Sequence, residues 1–111
     1  MGTEPIIYVV ATQCQPEAEE KFNEWYNEVH IPLLLKFRGL KEVTRYRIIK
    51  EIEESPRYLA IYQFESHKDY EAFESSPELA AAREELKESW KDSGFEIEWR
   101  AEYETIKTWQ R

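Results

Sequence analysis

Runs of apolar residues with alternating spacing predict three strands in the first two thirds of the chain. Residues 6–13 are apolar at both alternating sets of positions, which is typical of a strand covered on both faces. Residues 40–50 and 57–65 also have strand character, and the polar turn at residues 51–56 joins them. We therefore predict a first strand followed later by a hairpin.

A fourth strand is predicted at residues 96–109, where apolar and charged residues alternate sharply. The alternation sets Ile97, Trp99, Ala101 and Tyr103 against Glu98, Arg100, Glu102 and Glu104. Two interpretations of the acidic set are open. Glu98, Glu102 and Glu104 either face solvent or meet Arg45 and Arg47 of a second copy across a dimer seam, where unlike charges select register and partner.

The first helix is predicted to start at Pro16, with glutamates in its first turn. Phe22, Trp25, Tyr26 and Val29 follow at helical spacing and form one apolar stripe. Because Pro32 disfavours helical geometry in the preceding residue, we expect this helix to end at residues 29–30. One further short turn is expected over residues 32–36.

The second helix is predicted to begin at Ser66, which has capping-box spacing to Asp69. Residues 75–78 restart it, and Gly94 ends it. Its apolar positions at helical spacing are Tyr70, Phe73, Leu79, Leu86 and Trp90, with Arg83 in the same series.

The element order is β-α-β-β-α-β, the split βαβ arrangement called ferredoxin-like. It predicts an α+β fold in which a four-stranded antiparallel sheet carries two helices on one face. We expect one domain over residues 1–111. The other sheet face is too apolar to remain in water, so we infer a homodimer in which two such faces pack together.

Net charge and cysteine content limit the kinds of binding partner and of cell compartment that we expect. The formal net charge is −8, which argues against nucleic acid and anionic membrane as partners. Cys14 is the single cysteine, so no intrachain disulfide is expected and the chain fits a reducing compartment. No leader and no long apolar run is recognised, and we expect a soluble cytoplasmic protein.

The segment WYNEVHIPLLLKFRGLKEVTRYR, residues 25–47, resembles the EthD-like branch of the dimeric α/β-barrel proteins. The similarity consists of an aromatic first helix, a His-x-Pro element, a glycine and a strand with an Arg-Tyr pair. The residues that carry it are Trp25, Tyr26, His30, Pro32, Gly39, Arg45 and Tyr46. The strand Tyr58-Leu59-Ala60-Ile61-Tyr62 and the Ser76-Pro77 helix restart are also similar.

This resemblance implies a dimeric α/β barrel with a pocket between the sheet and the first helix of each subunit. Related proteins include polyketide cyclases, monooxygenases that act without a cofactor, lactone isomerases and members with no known activity. The Asn, Trp and His set of the haem-degrading relatives is not recognised, so haem is not expected. The sequence also lacks metal-ligand spacing and a Gly-rich phosphate loop, and we predict no metal and no cofactor.

His30 is the candidate catalytic residue, because an imidazole can accept or donate a proton near neutral pH. At the end of a helix its pKa would be raised, since the helix dipole favours the cation. The alternative is a structural role in which His30 caps the helix. His67, in the first turn of the second helix, is interpreted as structural or exposed.

Aromatic residues and one arginine are candidates for substrate binding. Rings on the strands can stack on a flat substrate, and an arginine fork suits a carboxylate or enolate. The alternatives are plain core or dimer packing for the rings and seam pairing for the arginine. The candidates are Tyr8, Trp25, Tyr26, Arg45, Tyr46, Tyr62 and Trp99.

Three functions fit these features. The first is a cofactor-free enzyme (a cyclase, isomerase or monooxygenase) that moves a proton next to a carbonyl of a small aromatic or polyketide-like molecule. The second is a module that binds such a molecule without turnover. The third is a structural dimer whose pocket is filled by its own side chains.

Overall fold

The computed structural model describes residues 5–91 and 94–111. Its strands are β1 (Ile6–Cys14), β2 (Leu40–Arg47), β3 (Tyr58–Phe64) and β4 (Phe95–Glu104). They form one antiparallel sheet in the order β2-β3-β1-β4. This is the strand order of the predicted βαββαβ arrangement, and the predicted fold class is confirmed.

Two strands are shorter than predicted. β2 ends at Arg47, and β4 ends at Glu104, whereas the sequence pattern extended them to residues 50 and 109. β4 ends there because Glu104 pairs with Ile6, the first residue of β1. Beyond this pair, β1 has no further strand residue with which β4 can pair. Strand pairing, and not alternation alone, sets the length of a strand.

The first helical region is longer than predicted. A 3-10 turn (Pro16–Ala18) leads into α1 (Glu19–Trp25), a π-helical turn (Tyr26–His30) and α2 (Ile31–Leu34). The expected end at residues 29–30 is wrong, because Ile31 keeps helical backbone angles and donates its N–H to the carbonyl of Tyr26, five residues back. Proline lacks an N–H and crowds the preceding turn, and the wider π turn accommodates it without ending the helix.

The second helical region is split where the sequence predicted a restart. The helices are α3 (His67–Glu74) and α4 (Pro77–Ser89). The Asp69 N–H donates to Ser66 Oγ over 3.2 Å, which confirms the predicted cap, and Ser76 caps α4 in the same way. α4 ends at Ser89, before the predicted Gly94.

All helices pack on one face of the sheet, and the core lies between the two layers. Phe22 of α1 and Phe64 of β3 are its most deeply buried large side chains. Phe22 lies within 6.5 Å of five other rings, which are those of Trp25, Tyr26, Tyr58, Trp90 and Phe95. This aromatic cluster fixes α1 over the sheet.

The opposite sheet face, here called the open face, carries apolar residues of all four strands. The register places Tyr46, Leu59, Ala11 and Trp99 in one row across it. Tyr46, Trp99 and Tyr103 are 51%, 42% and 51% exposed. A row of exposed aromatic rings is a surface of the kind that protein interfaces cover.

A β-bulge in β4 changes the face of Ile97. Trp99 pairs with Ala11 and Ile97 pairs with Thr12, so Glu98 has no opposing residue. The predicted continuous alternation is therefore wrong at this point. Ile97 lies on the helix-covered face together with Arg100, whereas Trp99 lies on the open face.

Within the described ranges, no helix is long and apolar enough to cross a lipid bilayer.

Candidate active site

An apolar cavity lies between the sheet and the helices and has a volume of about 110 Å³. Apolar cavities of roughly 150 Å³ take up molecules of the size of benzene. The walls come from β1, β3 and β4 on the sheet side and from every helical segment between Glu19 and Ser89. The lining side chains are Tyr8, Val10, Thr12, Trp25, Tyr26, His30, Leu34, Tyr62, Tyr70, Phe73, Glu74, Leu79, Arg83, Leu86, Phe95, Ile97 and Arg100.

Four tyrosines line the cavity, two from the sheet and two from the helical layer. The ring of Tyr8 lies 5.9 Å from that of Tyr62 and 5.7 Å from that of Tyr70. The hydroxyls of Tyr26 and Tyr62 share a hydrogen bond of 2.8 Å. Burial raises the pKa of both Tyr26 and Tyr62, so these phenols remain protonated and can donate hydrogen bonds.

His30 reaches this cavity from the π-helical turn. Its ring stacks on Trp25, with centroids 4.7 Å apart and planes at 24°, and meets the edge of Tyr26 at 5.2 Å. Its Nδ1 is buried and has no hydrogen-bond partner among the described residues. A buried nitrogen without a partner is costly unless another group or a ligand satisfies it.

Burial lowers the pKa of His30 from 6.5 to about 4, although the negative charge of Glu85 acts in the opposite direction. The expected increase from a helix C-terminus is wrong, because the helix continues through His30 and the last carbonyls lie further on. Desolvation therefore dominates. The imidazole is neutral at pH 7, in the form that accepts a proton.

Glu85 of α4 fixes the position of the Trp25 side chain. Trp25 Nε1 donates to Glu85 Oε1 over 2.8 Å, and Ser89 Oγ donates to the other carboxylate oxygen. Both carboxylate oxygens of Glu85 are thus used by groups other than His30. Glu85 orients the indole on which the imidazole stacks, and it acts on His30 only through its charge.

The structure brings together five of the eight predicted site residues. The cavity is lined by His30, Tyr8, Trp25, Tyr26 and Tyr62. Tyr46 and Trp99 lie on the open face, so the sheet separates them from this cavity. Their expected place in the same pocket is wrong, because neighbouring positions on a strand point to opposite faces.

Arg45 lies outside the cavity, behind Tyr26. Its guanidinium stacks over the Tyr26 ring at 4.3 Å and donates from Nη1 to Asn27 Oδ1 over 2.8 Å. Opposite Ala60 in the register, it lies on the helix-covered face, and burial lowers its pKa. Seam pairing, one of the two interpretations of Arg45, is therefore not available through the open face.

Several lining residues were not among the predicted site residues. Tyr70 and Phe73 of α3 and Leu79 and Leu86 of α4 were expected only as apolar positions of the second helix, and Phe95 lies before the predicted start of the fourth strand. For Arg83, the sequence contains a signal of a place in the site, since this charged residue interrupts the apolar stripe of α4. Ile97 and Arg100 could not be found, because the bulge at Glu98 decides which face they occupy.

The donors in the cavity suit organic ligands better than metal ions. In the part of the chain that the structure describes, no group of three or more His, Cys, Asp or Glu side chains is placed to hold a metal. The cavity instead combines apolar walls, protonated phenols and one neutral imidazole. Such a site can bind a small aromatic ketone, accept a proton from it and donate hydrogen bonds to its oxygen.

Comparison with known proteins gives a family and a fold. The family described as "Domain of unknown function (DUF4286)" matches residues 5–106. None of the curated proteins matches the sequence.

Solved structures resemble the whole chain at low sequence identity. An EthD family protein from Bacillus halodurans is 18% identical with a TM-score of 0.63, over 88% of this chain and 96% of its own. SnoaB from Streptomyces nogalater, a cofactor-independent oxygenase, is 12% identical with a TM-score of 0.66, over 95% and 96%. A DABB family protein with a ferredoxin-like fold from Mesorhizobium loti is 15% identical with a TM-score of 0.63, over 95% and 98%. The resemblance to EthD-like, ferredoxin-like proteins is thus confirmed at the level of the fold.

Proposed function

We propose, from the premise that the chain belongs to the DUF4286 family, that it is an enzyme that acts without a cofactor on a small aromatic molecule. The observation that supports this most directly is the neutral, unpartnered imidazole of His30 inside a cavity walled by aromatic rings. The similarity of fold to SnoaB, itself a cofactor-independent oxygenase, is consistent with the proposal.

The proposed reaction begins with proton transfer at a carbon next to a carbonyl. His30 accepts the proton, the C–H electron pair moves onto the carbonyl oxygen, and an enolate forms. A tyrosine hydroxyl, that of Tyr62 or Tyr8, donates a hydrogen bond to that oxygen. In a ketone with a conjugated double bond, His30 returns the proton to the far carbon of the dienolate and gives an isomer. In a diketone, the enolate carbon attacks the second carbonyl, and the proton on His30 passes to the new alkoxide and gives a cyclised alcohol.

A low pKa makes His30 a weak base in the free cavity, and the substrate changes this. As the enolate forms, its negative charge stabilises the imidazolium beside it. The apolar walls strengthen that attraction, because the local dielectric is low. The base and the developing charge thus stabilise each other only while the reaction proceeds.

Proton exchange gives a direct test. Phenylacetone in D₂O loses its protons next to the carbonyl slowly, and NMR follows the loss. We expect the wild-type protein to accelerate it, His30→Gln to abolish the acceleration, and His67→Gln, an exposed histidine on α3, to retain it. Acceleration that survives in His30→Gln would contradict the assignment of the base.

A binding module without turnover is the second candidate function. It is favoured by the hydrogen bonds of Glu85, which accepts from Trp25 and Ser89 and does not orient the imidazole by a hydrogen bond. Under this alternative, phenylacetone raises the melting temperature of the wild type, but its proton exchange keeps the background rate.

We further propose that the protein is a cytoplasmic homodimer joined through the open face. The exposed rings of Tyr46, Trp99 and Tyr103 support the interface, and the lone Cys14 is consistent with a reducing compartment. Light scattering after size exclusion should give a dimer for the wild type and a monomer for Trp99→Glu. Leu35→Glu, an equally exposed apolar position on the helix layer, should remain dimeric.

A further inference from the structure

We propose that the ligand of the cavity carries a carboxylate, and that Arg83 and Arg100 at the cavity opening bind it. This inference deepens the proposed function and rests on it in one respect, since both need a cavity that accepts a small aromatic molecule. It adds the charge of the ligand and its orientation, which the position of His30 leaves open.

Arg83 faces inward on α4. It is four residues after Leu79 and three before Leu86, and all three side chains line the cavity. A helix normally fills such a stripe with apolar residues and places its charges on the opposite side. Arg83 lines the cavity and is also exposed, so its stem can cover the apolar wall while its guanidinium stays in contact with solvent at the opening.

Arg100 reaches the same cavity from the opposite wall. It pairs with Val10 across β1 and β4, and Val10 belongs to the helix-covered core. The bulge at Glu98 keeps Arg100 and Ile97 on this face. One guanidinium thus comes from the helix layer and one from the sheet, with the cavity between them.

Neither arginine has a carboxylate partner among the described residues. The chain contains 23 acidic and 15 basic residues, so ion-pair partners are abundant. Arg57, by contrast, pairs with both Glu19 and Glu51. Two arginines without partners at one opening are a suitable receptor for an anion from solution.

The opening has a second, acidic part. Glu74 also lines the cavity, and together with Glu102 it raises the pKa of Tyr70, after the larger effect of burial. With His30 neutral, the charged groups on the lining are Glu74, Arg83 and Arg100. An anionic group is therefore attracted to the arginines and repelled from the Tyr70 side, which gives the ligand one orientation.

The shape of the site favours a carboxylate over a free phosphate. The cavity of about 110 Å³ limits the uncharged part of a ligand to no more than one ring. A planar guanidinium matches a planar carboxylate through two parallel hydrogen bonds. Inorganic phosphate would occupy the opening but leave the apolar part unfilled.

Benzoate, benzamide and inorganic phosphate separate the contribution of ligand charge from that of the apolar ring. Benzoate and benzamide have similar shapes and differ in charge, whereas phosphate is charged and has no ring. Binding to the protein is measured by NMR titration at pH 7 and at two salt concentrations. We expect benzoate to bind more tightly than benzamide by about tenfold, as for a charge-assisted pair. We expect phosphate to bind more weakly than benzoate, and added salt to weaken only the two anions.

Arg83→Gln and Arg100→Gln should each weaken benzoate by about five- to tenfold and leave benzamide unchanged. Arg38→Gln is the matched control, since Arg38 is exposed and lies outside the cavity lining. Both cavity arginines are exposed, so their variants should keep the wild-type melting temperature. Melting curves therefore verify that any loss of binding is not a loss of fold.

Equal binding of benzoate and benzamide, unchanged in the two arginine variants, would overturn this inference but leave the proposed enzyme intact. Binding of neither compound would overturn both. A preference for benzoate that depends on Arg83 and Arg100, combined with background proton exchange, would support the carboxylate site and contradict the catalytic role of His30.

Discussion

The hydroxyl oxygens of Tyr26 and Tyr62 lie 2.8 Å apart in a hydrogen bond that connects the π-helical turn to strand β3. Both side chains are buried, and both line the cavity. Each phenol is the only polar group that the other contacts by a hydrogen bond among the described residues. The hydrogen-bonded pair therefore stabilises the core and also forms part of the cavity wall.

Removal of either hydroxyl should destabilise the protein, because its partner then remains buried without a hydrogen bond. We expect Tyr26→Phe and Tyr62→Phe each to lower the free energy of unfolding by about 1–2 kcal/mol. The double variant should lose less than the sum of the two, since it leaves no unpaired hydroxyl. Urea unfolding of the four proteins measures the coupling, and additive losses would show that the bond contributes nothing.

His30 should make stability depend on pH between 6.5 and 4. Its pKa is about 4 in the folded chain, from a reference value of 6.5. In this window the unfolded chain binds a proton that the folded chain does not, so the free energy of unfolding falls as the pH falls. Above pH 6.5 the histidine has no effect, and the loss approaches about 3 kcal/mol at the lower end.

The matched variant for this prediction is His30→Gln, which cannot titrate in the window. Urea unfolding of both proteins at pH 7, 6 and 5 gives a difference in which the titration of the shared carboxylates cancels. We expect the wild type to lose more stability than His30→Gln as the pH falls. Parallel pH profiles would show that the imidazole is not desolvated.

The bulge in β4 should tolerate the loss of one residue. Glu98 has no opposing residue, so its deletion leaves Trp99 opposite Ala11 and Ile97 opposite Thr12. We expect the deletion to preserve both faces and to change the free energy of unfolding by at most about 1 kcal/mol. Deletion of Ala101 in the regular ladder should unfold the chain or disorder β4, because it inverts every side chain on one side of the gap.

Circular dichroism and urea unfolding of the two deletion variants test this. Equal damage from both deletions would mean that the bulge itself is required, for example to bend the strand towards the helices.

Gly94 should be intolerant of alanine. Its φ is +141°, a region that residues with a side chain rarely occupy, and an added Cβ would lie 2.9 Å from the Trp90 ring. We expect Gly94→Ala to lower the free energy of unfolding by about 2–3 kcal/mol. Gly94→Asn should recover no more than part of the loss, because it still carries a Cβ. Wild-type stability of Gly94→Ala in chemical denaturation would contradict the backbone argument.

The sequence predicted the order and type of the elements because each depends on local signals. Strand alternation, the cap at Ser66, the helix restart at residues 75–78 and the helical stripe through Phe22 all act within a few residues. They are enough for the split βαβ order, and hence for the sheet and its open face. The presence of aromatic residues around His30 followed from the same helical spacing.

The remainder of the site depends on features that periodicity does not contain. The bulge at Glu98 places Ile97 at the cavity, whereas Tyr46 lies on the open face. Arg45 lies on the cavity side of the sheet but behind the Tyr26 ring. The pKa of His30 was expected to move in the other direction, because a proline was taken as the end of a helix that in fact continues. These corrections concern strand register, the packing of one arginine and the point at which a helix ends.

The π-helical turn affects how the sequence around His30 must be aligned with the sequences of related proteins. A π turn holds one more residue than the α turn it replaces, so the run from Glu19 to Leu34 is one residue longer than a regular helix spanning the same distance. Superposition on a relative with an uninterrupted helix therefore needs a gap inside the helix, between Tyr26 and His30. Without that gap, an alignment would pair His30 with a residue that points elsewhere, and a shared catalytic position would go unnoticed.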